Sequence, residues 1–144
     1  MDGPSGWDDY GVGDLRDVHT YPSPSMVPVS QLGGRASVCG EYGAVQLRLA
    51  GHVGTVKRDG IPLSGSEEEA MARDVAFAKY RSLMDETEKL IGQGLAASIY
   101  TRNVDAERGF GGLLTYDRKA IKFPVRELYD CHRRLYRKAK ENAK

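Results

Sequence analysis

The sequence predicts an α+β fold: two main α-helices, a small antiparallel sheet or pair of hairpins, and a long irregular N-terminal arm. Three observations carry that prediction. The first 35 residues hold Gly3, Gly6, Gly11, Gly13, Gly33, Gly34 and four prolines, with no sustained apolar period. Residues 44–50, AVQLRLA, alternate apolar and polar at period two, the pattern of a half-buried strand. Two later stretches, 66–91 and 124–141, switch to the helical period.

Each element follows from local chemistry. YPSPSMVP holds the backbone near polyproline II and removes donors that a ladder needs. Residues 1–35 therefore form the arm and residues 36–144 the compact domain. Trp7, Tyr10, Tyr21 and Met26 are spaced along the arm and suit anchors that plug shallow pockets on a neighbouring surface. After the strand at 44–50, Gly51-His52 and Asp59-Gly60 are turn signals. Val53–Lys57 reads as a return strand and Ile61–Leu63 as a short third piece.

Ser66-Glu67-Glu68-Glu69 is a capping box, in which the serine accepts from the third helical amide and Glu69 reaches back. The three glutamates also suit the positive end of the helix dipole. The apolar stripe runs Ala72, Ala76, Tyr80, Leu83, Met84, Thr87, Leu90, Ile91, and Gly92 and Gly94 end the helix. Leu95–Thr101 and Leu113–Phe123 read as strands, the second turning at Asp117-Arg118, with RGFGG at 108–112 as a flexible interrupting loop. Pro124 takes the first position of the last helix, where its missing N–H is harmless.

At about 100° per residue, Val125, Leu128, Tyr129, His132, Leu135, Tyr136 and Ala139 fall within roughly 120° of arc. Every charged residue from Arg126 to Glu141 falls outside it. The expectation is an apolar face packed on the strands or the first helix, with Tyr129 and Tyr136 in the core. His132 is expected as a core histidine bonded to a carbonyl or a tyrosine. The wet face would carry Arg126, Arg133, Arg134, Arg137 and Lys138 as a docking surface for an acidic or phosphate-bearing partner. Glu127, Asp130 and Glu141 interrupt that face and no aromatic is interleaved on it, so base-specific reading of DNA is not expected.

The net charge of +1 conceals polarity along the chain. Residues 1–30 carry five aspartates against Arg16 alone, and residues 117–144 carry ten lysines and arginines against four acids. Such asymmetry suits docking of one chain's arm on the next chain's helix. Other classes are weakened by what the chain lacks. No run approaches the roughly 18 apolar residues of a membrane span, and MDGPSGWDDY has no signal-peptide character, so a cytosolic or packaged protein is expected. Cys39 and Cys131 read as reduced thiols. A zinc set of Cys39, His52, Cys131 and His132 lacks ligand-type spacing. YGVG and GFGG lack the lysine of a phosphate loop. With no nucleophile motif and no acid–base pair, neither catalysis nor a cofactor is expected.

The order helix (Ser66–Ile91), hairpin (within Leu95–Phe123) and helix entered directly from the last strand, KAIKFPVRELYDCHRRLYRKAK, resembles the head-to-tail joining protein W family of lambda-type tailed phages over about Asp85–Lys140. This chain differs in its RGFGG insertion, its longer first helix and its 65-residue N-terminal extension. The resemblance implies a structural virion protein, assembled in the host cytoplasm as a homo-oligomeric ring between portal and tail. A capsid cement protein is the alternative of the same class. A small protein contacting packaged DNA non-specifically through the basic helix is the alternative of another.

Overall fold

The computed structural model describes residues 6–53 and 66–143. It is an α+β architecture of two helices and a three-stranded sheet. The strands are β1 (Leu15–His19), β2 (Ala36–Gly43) and β3 (Leu95–Thr101), in that spatial order and all parallel. The expected antiparallel sheet is thus corrected. A parallel neighbour needs a long crossover, and helix α1 (Glu67–Gln93) lies on the connection from β2 to β3. Leu15–His19, inside the stretch read as irregular arm, is an outer strand of that sheet.

The proline-rich stretch before β2 folds back on it: Ser37 Oγ accepts from the Val27 amide and donates to the Val27 carbonyl, both at 3.1 Å. Segment 44–50 keeps its expected alternation, with Val45, Leu47 and Leu49 buried and Gln46 exposed, yet among the described residues it joins no sheet. Its partner is the RGFGG loop, through a 3.0 Å bond from the Leu47 amide to the Phe110 carbonyl. Burial fixed the alternation; the backbone partners came from a loop. The return strand expected from Val53 and the piece at 61–63 fall almost wholly outside the described residues.

Helix α1 starts as its cap requires, with Ser66 Oγ accepting from the Glu69 amide at 3.1 Å. The reciprocal half of the capping box is not made: the Glu69 carboxylate accepts instead from the Ala50 amide and pairs with Arg73. Gly94, at φ 110°, ends the helix in the left-handed region that glycine tolerates. Ala76, Tyr80, Leu83, Met84 and Thr87 are buried as expected, joined by Phe77, while Ala72 is exposed. Tyr80 is the hub of an aromatic cluster, its ring centroid 5.0 Å from Tyr100, 5.6 Å from Phe123 and 6.3 Å from Phe77.

Between β3 and α2 (Val125–Asn142) a short antiparallel bridge, Leu114 to Ile121, closes on the expected Asp117-Arg118 turn. Asp117 organises this turn, accepting from the Thr115 hydroxyl at 2.7 Å and the Lys119 amide at 3.1 Å. Those bonds and His52 hold its carboxyl down at about 2. The glycine loop is not the flexible insertion that was expected. Lys122 is fully buried and donates to Asp105 (2.6 Å), the Leu47 carbonyl (2.7 Å) and the Phe110 carbonyl (2.8 Å). Burial pushes its pKa down, against the opposing pull of Asp105. Gly112 is required here because a Cβ would stand 2.3 Å from the Asp105 amide nitrogen. Pro124 sits one position outside α2, as its N-cap. None of the described helices is long and apolar enough to cross a membrane.

Candidate interaction groove at the outer strand

Helix α2 packs beside α1 and runs the same way. Phe77 meets Phe123, Tyr80 meets His132, and Arg134 pairs with Asp85 and Glu88. This positions α2 across from β3, but not on it. Between them lies a groove of about 530 Å³, lined by all of residues 95–100 and by His132, Leu135, Tyr136 and Ala139. Successive strand residues point to opposite faces, so a groove touching six in a row runs along the strand, not against one face of it.

The groove explains why α2 departs from the expected packing. Only Leu128 of its apolar stripe is buried, while Tyr129 and Tyr136 are 53% and 69% exposed and Val125 is also open. Tyr129 and Tyr136 are therefore not core residues. Among the described residues the sheet is three strands wide, and the groove separates its β3 edge from α2.

β3 is the outer strand, with Ala96, Ala97 and Ile99 exposed. Among the described residues, no hydrogen bond from outside the sheet reaches the backbone of residues 96–100. The strand's last residue is held: the Thr101 carbonyl accepts from the Ala44 amide at 2.7 Å. An unpaired edge of this kind is a template for another strand.

His132 meets its expectation as a tyrosine-bonded histidine at the groove floor. Its Nε2 lies 2.7 Å from the Tyr80 hydroxyl. Burial lowers the His132 pKa and raises that of Tyr80, so both are held uncharged. Tyr100 fixes the end of β3 by accepting from the Val45 amide and donating to the Gly111 carbonyl. Burial pushes its pKa up to about 12.

The five expected docking cations divide in two. Arg134 is spent on Asp85 and Glu88, and Lys138 lies with its stem against Gly92 of α1. Arg126, Arg133 and Arg137 are exposed, as is Lys140, which the sequence reading left out of the set. At about 100° per residue, Lys140, Arg133, Arg126 and Arg137 follow Tyr129 and Tyr136 around α2, on the side away from α1. None of the four lines the groove; Lys140 and Arg133 come next after Tyr136 around the helix, and Arg126 and Arg137 lie further round. Arg126 pairs with Asp130 at 3.1 Å, and both Arg126 and Arg133 stand within 6 Å of the Tyr129 ring.

The four expected arm anchors also divide. Met26 packs against the chain's own core, and Tyr21 donates to Glu41 at 2.7 Å. Trp7 and Tyr10 remain 70% and 65% exposed. Cys39 and Cys131 are free thiols. The Lys122–Asp105 clamp was missed, because a lysine between Ile121 and Phe123 gives no local sign of facing inward. No protein-family model and no curated protein matches the chain.

Proposed function

We propose that this chain is a structural, self-assembling virion subunit, joined copy to copy into a ring of the phage head-to-tail connector type. The observation that carries the reading is the opposite character of the two ends of the sheet. Around β1, residues 6–19 hold four aspartates against Arg16. Beyond β3 lie the groove and, next around α2 from it, the exposed Lys140 and Arg133. Two different, complementary surfaces on one subunit make a head-to-tail contact, and such contacts close into rings when the rotation allows. The resemblance to the head-to-tail joining protein W family favours the same role, although Leu95–Thr101, expected in its hairpin, instead pairs in parallel with β2 and leaves only the Leu114–Ile121 bridge between the helices. Portal, tail or capsid proteins are then the neighbours of the ring.

Native mass spectrometry on the purified chain, alone and with portal rings, tests this. A defined oligomer that dissociates as salt rises is expected, because the contact is between charged surfaces. A strict monomer under both conditions overturns it. The exposed cations of α2 also favour a second reading, non-specific contact with DNA phosphates. Tight DNA binding that falls steeply with salt, by a chain that never oligomerises, would select it.

A further inference from the structure

We propose that the groove between β3 and α2 receives residues 8–14 of a second copy, laid along β3 as the fourth strand of the sheet. This rests on the ring reading for the presence of a second copy, and adds which segment makes the joint.

Three features specify the occupant. The bare β3 backbone asks for an extended segment, since alternate N–H and C=O groups along it need a ladder partner. The groove wall from α2 is apolar, at Leu135, Tyr136 and Ala139, and the exposed cations next around the helix from Tyr136 are Lys140 and Arg133. The occupant should therefore be apolar in the middle and acidic at its ends. Residues 8–14, DDYGVGD, meet this at strand period: Asp8, Tyr10, Val12 and Asp14 share one face. Tyr10 and Val12 would enter the groove, and the two aspartates would meet Lys140 and Arg133. Both apolar side chains are exposed in their own copy, and among the described residues, 10–13 have no ladder partner there. Asp9 falls on the opposite face, so its pairs with Arg16 and Arg35 stay available to hold the base of the segment on its own body.

Charge also excludes the simplest alternative. Joining β3 to β3 of a second copy would bring two copies of Lys140 and Arg133 together, and like charges across an interface oppose association.

Native mass spectrometry of the full chain, with sedimentation for affinity, distinguishes these arrangements. The double substitution Tyr10→Ser/Val12→Ser should leave the melting transition in place, since both positions are exposed, and weaken self-association by at least about tenfold. Arg133→Glu/Lys140→Glu should do the same, and adding Asp8→Lys/Asp14→Lys to that variant should restore assembly. A Tyr10→Ser/Val12→Ser chain that assembles like the parent overturns the segment assignment while leaving the ring reading standing. Failure of the charge reversal to restore assembly does likewise. Disulfide-linked dimers of Ile99→Cys would show β3 meeting β3, and overturn it too. A parent chain that stays monomeric beside portal rings removes the segment and the ring together.

Discussion

At the β1 end of the sheet the chain closes its own ladder: Gly6 bridges Val18, the His19 amide donates to the Gly6 carbonyl at 3.0 Å, and Asp9 locks the segment to Arg16 and Arg35. At the β3 end the described chain supplies no further strand, and a groove separates β3 from α2, whose Tyr129 and Tyr136 are exposed. Both strands are outer strands of one small sheet, so exposure to solvent alone does not explain the difference. An edge that is covered guards against unwanted pairing. The edge left bare beside the apolar groove is where the proposed segment would pair.

The largest way to break this contrast acts on the clamp that carries α2 into place. Asp105→Ala strands the Lys122 ammonium in the interior, and losing one partner of a buried pair costs about 3–5 kcal/mol. Urea denaturation should show that loss, and hydrogen exchange should show β3 and α2 opening before β1.

A contrast within α2 comes next. Leu128→Asp sets an unpaired carboxylate against the core and should cost about 2–3 kcal/mol. Tyr136→Asp, one groove residue away from any buried contact, should shift stability by no more than about 0.5 kcal/mol while impairing assembly. Equal losses of Tm for the two variants would mean that α2 is packed on both sides. Leu135, also expected in the core, lines the groove half-buried, so its aspartate variant should fall between them.

A smaller effect depends on pH. Burial lowers the His132 pKa from its ordinary 6.5, so the folded chain keeps the ring neutral where the unfolded chain takes up a proton. That contribution to stability is complete above the unfolded value and is lost as pH falls below about 6.5. Thermal melts between pH 7.5 and 5 should show the decline, and His132→Gln should flatten it. An unchanged slope in the variant would move the effect to other groups.

The smallest change is at the closed edge. Asp9→Ala removes ion pairs that are partly exposed, and should cost no more than about 1 kcal/mol. Its signature is faster amide exchange at His19, whose donor then faces a loosened Gly6.

Much of this molecule is written locally. Ser66 capping Glu69, the Gly94 stop, the Asp117-Arg118 turn and the two-sided α2 are decided by neighbours within one or two turns of chain, so their residues alone announce them. The sequence also held the charge division on which the proposed assembly depends. Strand pairing is different, because its partners are far apart. AVQLRLA has the alternation of a strand whether it is paired to another strand or to a glycine loop, since alternation reports burial and not the ladder. β1 is short, charged and set among glycines and prolines, and only its long-range pairing with β2 makes it a strand. Lys122 is legible as a surface lysine until three acceptors from distant segments converge on it. The apolar stripe of α2 was determined by sequence, but what covers it was not. Among the described residues only Leu128 of that stripe is buried and Tyr129 and Tyr136 stay exposed, an outcome set by how the distant β3 and α1 are placed and not by the local pattern.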